Sequence, residues 1–359
     1  MYNIKIESLN EDSFKYLLNL EKLEITKSDI RYASINMLKH LTNLRYLTLE
    51  ITTFHEFEFN YLTKLKEIRL FKCGVSVLKE NTFKDLKELF SIEFKRLNLT
   101  KIEPNCFKNL SKLEFLYFHY CNIKLLNKDM LKGLNILYSF QIIHTNYGKP
   151  NSISIDKDCF KELSNLESLI LTGCNYTELK EDSNDNLEAV CSKINCERDF
   201  SDSKNLIKSS VKINAEIFTG LEGLRRLFMD KSPLNLEEGC FSNLKSLRLL
   251  DLSSCGLKFL TKNILVGLDC LLNLNLNNNP LSLEEGCFSN LKSLRTLDLS
   301  SCGLKFLNKN ILVGLESLSN LIINGNDITS FERGLFDHMT HLENIIEIYL
   351  ELKNKRIKR

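Results

Sequence analysis

Twelve cysteines and six histidines are the side chains of this 359-residue chain best suited to chemistry. Thiols and imidazoles ligate metals, and a thiol or hydroxyl held against a base acts as a nucleophile. The histidines, however, are scattered. His338 and His341, three apart, read as ordinary residues near the chain end. No Gly-rich loop of the P-loop or dinucleotide type occurs, and no Ser or Cys has a base at motif spacing. No catalytic residue, metal or cofactor is therefore expected. Cys191 and Cys196 stand five apart in a polar stretch. That spacing allows a local disulfide, and the lack of a nearby His argues against a metal site. Asn98, Asn109 and Asn175 each open an Asn-x-Ser/Thr sequon, a site for N-glycosylation in a secretory compartment.

These residues sit in a chain that repeats itself. LEEGCFSNLKSLR at Leu236 returns at Leu283, and LDLSSCGLKFL at Leu250 returns at Leu297, both displaced by 47 positions. A shared offset over two separated strings marks tandem duplication of one module. Copies of Leu-x-x-Leu-x-Leu-x-x-(Asn/Cys)-x-Leu begin at Leu20, Leu44, Leu65, Leu89, Leu113, Leu137 and Leu166. They resume at Leu224, Leu247, Leu271, Leu294, Leu318 and, truncated, Leu342, mostly 23 or 24 residues apart. Alternate residues of a strand point to opposite sides, so Leu297 and Leu299 face inward while Asp298 and Ser300 face outward. One strand per repeat builds a parallel sheet, and stability comes from stacking because no single repeat buries its own leucines.

The residue three places after the second strand Leu lies where the chain turns inward. A polar side chain there can bond backbone groups left unpaired by the turn. Asn279 and Asn326 fill this position, Cys73, Cys121, Cys174, Cys255 and Cys302 replace Asn, and Ser28, Thr52 and Ser232 are smaller substitutes; Leu97 departs from the pattern. Phe83, Phe107, Phe160, Phe218, Phe241, Phe288 and Phe336 fall on the return side and are expected to fill the core from the convex wall. Four more cysteines, Cys106, Cys159, Cys240 and Cys287, directly precede such a Phe. Neighbours within a cysteine column are two repeats apart, roughly 9.6 Å at strand spacing, beyond the about 7 Å between Cα atoms that a disulfide spans. Buried free thiols are expected, Cys270 among them.

The Leu spacing, the Asn/Cys position and the convex Phe resemble the leucine-rich-repeat family in its typical subtype, over roughly nine-tenths of the chain. The resemblance implies an α/β fold: a curved right-handed superhelical solenoid with a parallel β-sheet on its concave face and loops or short helical turns on its convex face. Repeats of this subtype are similar to those of Toll-like receptor ectodomains, Slit-like guidance proteins and related adhesion molecules. That similarity implies recognition of a protein, a microbial ligand or a matrix component. The sequence shows no cysteine-rich cap before Leu20 or after Leu342, no secretory signal, no membrane span and no signalling domain. Either part of a receptor-like protein or a cap-poor protein is expected.

Solenoids grow by stacking, so residues 1–359 are expected to form one domain, with regular repeats over 20–179 and 201–342 and a short basic tail at 353–359. The rhythm breaks twice. Asn146 to Asn151, NYGKPN, reads as a turn-rich loop. Between Leu166 and Leu224, a degenerate repeat from about Ser201, using Leu206, Val211, Ile213, Phe218 and Leu221, leaves a polar insertion over about 181–199.

With 43% hydrophobic and 26% charged residues the chain can bury a sizeable core, and a formal charge of +2 supplies no electrostatic case for nucleic acid or anionic membrane as an obligatory partner. Function is then expected on a surface. Outward strand positions carry Phe115, Tyr117 and His119, with Tyr120 one place further, and neighbouring strands add Tyr46, Glu67, Arg69, Phe71, Gln141, Ile143 and His144. Partners anchor on aromatics and Arg, which makes this concave cluster the expected ligand-binding patch; the competing reading is aromatic packing across strands. The C-terminal strands instead present Asp251, Ser253, Asn273, Asn275, Asn277, Asp298, Ser300, Asn320 and Asn324. Two functional classes follow: an extracellular or cell-surface recognition ectodomain for a protein ligand or co-receptor, of innate-immune, guidance or adhesion type, or an intracellular, cytoplasmic scaffold. A homodimer through an end or lateral edge is a third option.

Overall fold

The computed structural model describes residues 1–54, 56, 59–144, 151–177 and 212–346; Cys191, Cys196, Leu206, Val211, the 181–199 insertion and the 353–359 tail lie outside them. Within this span the Leu-x-Leu cores become thirteen parallel strands of one sheet. They run from Lys22–Ile25 and Tyr46–Leu49 through Glu67–Phe71, Ser91–Lys95, Phe115–His119, Ser139–Ile143 and Ser168–Thr172. Arg226–Phe228, Leu249–Asp251, Asn273–Asn275, Thr296–Asp298, Asn320–Ile322 and Asn344–Ile346 complete it. The alternation is as the sequence dictates: Leu116 and Phe118 are buried while Phe115, Tyr117 and His119 are half-exposed. Behind the sheet the chain returns through turns and two 3-10 helices, Ile35–Leu38 and Ala215–Phe218, the latter capped by Asn214 Oδ1 accepting from Glu216 N.

Phe83, Phe107, Phe160, Phe218, Phe241 and Phe288 are fully buried from the convex side, as expected, and Phe336 is half-buried. Successive rings stack: Phe59, Phe83 and Phe107 have centroids 6.1 and 5.6 Å apart. A second file, Phe94, Phe118 and Phe140, lines the sheet side at 5.1 and 6.3 Å. Aromatic pairs at these separations add to burial, which couples each repeat to the next.

The inward turn is held by its polar residue. Asn279 Nδ2 donates to the carbonyls of Leu252 and Leu276 at 2.9 and 2.7 Å, while its Oδ1 accepts from the amides of Cys255 and Leu257 at 2.9 and 3.1 Å. Asn326 repeats this geometry two turns later. Where Cys stands in its place, as at Cys255, the thiol donates to the Met229 and Ser253 carbonyls at 3.2 and 3.3 Å. The preceding residue adopts positive φ in most repeats, among them Lys72, Arg96, Tyr120, Lys231, Ser254, Asn278 and Ser301, a conformation that costs non-glycine residues energy and here turns the chain into the core.

Nine described cysteines are buried free thiols. Burial pushes the thiols of Cys73 and Cys302 up to about 11 and that of Cys121 up to about 12. Cys270 departs from expectation: it lies exposed in the turn before Leu271, outside both cysteine columns. Brief iodoacetamide treatment of native protein followed by peptide mapping is expected to modify Cys270 fully and the nine buried thiols only after denaturation, since the thiolate is the reactive form. Rapid labelling of Cys121 or Cys255 would contradict this packing.

The expected degenerate repeat adds no strand to the sheet. Ser168–Thr172 pairs directly with Arg226–Phe228, Ser168 opposite Arg226, 58 positions on, whereas regular neighbours are 23 or 24 apart. Ile213, Phe218 and Leu221 therefore close the repeat that Ser168–Thr172 opened. Thr172 Oγ1 donates to Asp230 Oδ1 at 2.6 Å and Ser232 Oγ accepts from Cys174 N at 3.0 Å, which stitches the two repeats together. On one flank Asn151–Ile155 and Cys174–Thr177 form a small parallel sheet with Leu125–Leu126, and Lys212–Ile213 pairs with Asn235–Leu236; residues 146–150 of the expected NYGKPN loop lie outside the described residues.

Candidate functional site: the concave aromatic and charged patch

Strand register arranges the expected patch in three rows. Tyr46, Glu67, Ser91, Phe115 and Ser139 are successive partners in the first, and Thr48, Arg69, Glu93, Tyr117 and Gln141 in the second. Phe71, Lys95, His119 and Ile143 make the third. Neighbours in a row belong to strands about 4.8 Å apart, so the side chains touch.

The touching is specific. Glu93 is the hub: its Oε1 lies 3.5 Å from His119 Nδ1 and its Oε2 3.9 Å from Arg69 Nε, and Arg69 also pairs with Glu67. His119 Nε2 lies 3.1 Å from Gln141 Oε1, and Gln141 Nε2 donates to Ser139 Oγ at 3.3 Å. The Tyr117 ring stacks on His119 at 5.7 Å and 10°, while Phe115 meets Tyr117 and Tyr138 at 6.2 and 5.9 Å. Lys95 Nζ sits 5.9 Å from the Phe71 ring, and Arg96 5.8 Å from that of Tyr120, beyond the strand end. The hydrogen bond from His119 holds the Glu93 carboxyl below the usual carboxylate range despite partial burial, and burial raises the Tyr117 hydroxyl. Selecting aromatics and Arg from the sequence picks out neither Glu93 nor Lys95; the inward–outward alternation of Ser91–Lys95 marks both.

The acids, Arg69 and His119 are oriented by one another, and aromatic faces stand half-exposed between them. At the other end, polar side chains pair along the sheet: Asn275 Nδ2 donates to Asp251 Oδ2 at 3.1 Å and Asn344 Nδ2 to Asn320 Oδ1 at 2.9 Å. No group of three His, Cys, Asp or Glu side chains that could hold a metal occurs among the described residues. His338 and His341 bind two different carbonyls, those of Leu312 and Glu316. Asn98 and Asn109 are exposed and Asn175 is half-buried.

His144 does not join the patch. It follows the strand where Tyr120 and Gly173 follow theirs, yet lacks their positive φ, and its side chain packs inward at 2% exposure. Burial, aided by the charge of Lys124, lowers its pKa from 6.5 to about 4. Below pH 6.5 the unfolded chain takes up this proton and the native chain does not until about pH 4. Stability is therefore expected to fall as pH drops through that window, by about 2 kcal/mol at pH 4.5. The depressed Glu93 loses its contribution lower, as pH falls through its folded value. Urea unfolding of wild type and His144→Leu between pH 7 and 4.5 checks this: the slope should flatten in the variant, and an equal slope refutes the assignment.

Curated protein sequences contain no match to this chain. Family models do match: the BspA-type leucine-rich-repeat region covers residues 2–114, 41–167 and 198–301, and a second leucine-rich-repeat model covers 277–328 and 292–346. The chain belongs to the leucine-rich-repeat family. Solved structures of similar fold include TLR13 in its ssRNA13 complex, with 22% identity, a TM-score of 0.62 and alignment over 90% of this chain. Internalin inlF from Listeria monocytogenes gives 18% and 0.60 over 94% of this chain and 85% of its own. Toll from the Drosophila Toll–Spatzle complex also gives 18% and 0.60 over 94%. This leucine-rich-repeat chain spans about half of TLR13, 49%, and 40% of Toll. No helix among its described residues is long and apolar enough to cross a membrane.

Proposed function

We propose that this leucine-rich-repeat chain is a non-enzymatic recognition module that binds a protein ligand or co-receptor on its concave patch, in the manner of a receptor ectodomain. The observation that carries the reading is the contrast along one sheet: oriented aromatic and charged rows over strands Glu67–Phe71 to Ser139–Ile143, against mutually bonded small polar residues over Leu249–Asp251 to Asn320–Ile322. Aromatics and Arg on a rigid sheet lose little side-chain freedom on binding, which favours them as anchors. The Toll and TLR13 complexes lend the receptor form of the reading support by fold, and the exposed sequons Asn98 and Asn109 would carry glycans in an exported protein. The test is capture of a ligand by immobilised protein with affinities measured for Phe71→Ala, Tyr117→Ala and Asn275→Ala. Loss of at least about 30-fold for the first two, with Asn275→Ala unchanged, is expected; equal affinity across all three in folded proteins sinks the proposal.

A second reading, an intracellular scaffold, is favoured by the ten free cysteines among the described residues, a usage at home in a reducing compartment. Intact mass of protein from a secretory host, with its genuine upstream sequence, separates the two: glycans on Asn98 or Asn109 and a bridged Cys191–Cys196 pair support the ectodomain, and an unmodified, fully alkylatable, retained protein supports the scaffold.

A further inference from the structure

The tandem duplication leaves its most exposed aromatics in register. Phe259 and Phe306, 47 positions apart, are 69% and 65% exposed, the largest exposures of any described Phe. They stand on the flank rather than the concave face: Phe259–Leu260 pairs with Ser282–Leu283 in a small sheet of its own. Two such rings, aligned two repeats apart, offer one side of an apolar contact.

The charges around them alternate row by row. Exposed Lys258 and Lys262 flank Phe259, and exposed Lys305 and Lys309 flank Phe306. The rows between and beyond are acidic, with Glu284 and Glu285 in one and Glu332 in another. The acids are held in place: Glu285 accepts from Asn308 and Asn310 Nδ2, both at 3.2 Å, and Glu332 Oε2 accepts from Lys309 N at 3.2 Å. None of these four lysines forms an ion pair among the described residues. Beside Phe306 lies an open hollow of about 410 Å³ lined by Phe306, Leu307, Ser330, Phe331 and Glu332.

A surface with alternating rows is its own complement when turned end for end and offset by one row. We propose that this flank is a homodimer interface, in which a second copy of the chain docks antiparallel about a two-fold axis between the 282–285 and 305–310 rows. That axis sets Lys305 and Lys309 against the partner's Glu284 and Glu285, and Lys258 and Lys262 against the partner's Glu332. It also brings the partner's Phe259 over the hollow beside Phe306, twice by symmetry, as an isologous interface requires. Apolar anchors supply the attraction, and the charges choose the register and orientation. The concave rows stay open, so this proposal and the ligand-binding reading stand or fall separately.

Sedimentation velocity of the full chain at rising concentration tests it. The weight-average mass is expected to climb from 41.6 kDa toward twice that value at low salt, and less so at high salt, which screens the charge pairs. F259S/F306S is expected to weaken association by at least about 30-fold while melting with the wild type, since both rings are exposed. K258E/K262E and E332K should each be monomeric alone and dimerise when mixed, because a mixed pair opposes like charges at neither end. A monomeric wild type at every concentration, association indifferent to F259S/F306S, association strengthened by salt, or no rescue on mixing would each overturn the proposed interface.

Discussion

Asn279→Ala is expected to lower stability by about 3–5 kcal/mol, although the position carries no apolar packing of its own. Its side chain is 0% exposed and bonds four backbone groups at 3.1 Å or closer, the amides of Cys255 and Leu257 and the carbonyls of Leu252 and Leu276, with a fifth, the Asn277 carbonyl, at 3.3 Å. Alanine leaves all four without that partner in a place water cannot reach, and each unsatisfied buried group costs about 1–3 kcal/mol, with some relaxation shared between them. Asn279→Cys should cost about half as much, because a thiol there can still share its one proton between two carbonyls as Cys255 and Cys302 do. Urea unfolding ranks the three proteins. Amide hydrogen exchange localises the effect, and Cys255 and Leu257 should lose protection first. Because a solenoid need not unfold as one unit, the exchange measurement decides: full protection at both amides in Asn279→Ala would refute the role.

Gly314→Ala is expected to be nearly as damaging, about 3–5 kcal/mol, and for a different reason. At φ +92° a Cβ would come 2.5 Å from Ser289 Cα and 2.6 Å from Ser289 O. Both are backbone atoms of the preceding convex turn, so the solenoid would have to open between two repeats. Gly303, at φ +69°, has nothing within 4 Å of such a Cβ, and its Ala variant should cost only about 1 kcal/mol for the left-handed conformation alone. The pair separates conformational cost from crowding. Equal melting curves for the two variants would mean that the turns are not packed as tightly as Gly314 implies.

Gly314 also shows how far the sequence can be read. Its role depends on the approach of a turn one repeat away, which no local pattern announces, whereas Asn279 is legible because its spacing from Leu276 recurs at Cys302 and Asn326. The same division runs through the patch. Parity along a strand places Phe115, Tyr117 and His119 outward without any knowledge of neighbours, since alternate residues face opposite sides. His144 breaks that logic because it lies just past the strand, where a single backbone angle decides between surface and core.

The repeat, its length, the inward leucines, the Asn/Cys turn and the convex Phe file are legible in the chain's own spacing, because each follows from a period of two within a strand or about 24 between strands. Which side chains meet is set instead by the packing of one repeat on the next. Glu93 joins Arg69 to His119 across three strands that lie 24 residues apart in the chain. Ser168–Thr172 passes over 58 positions to find its neighbour. The physical reason is that stacking energy is collected between repeats: the chain closes whatever loop brings the next Leu-x-Leu strand into register, and the entropy of a longer loop grows only as the logarithm of its length.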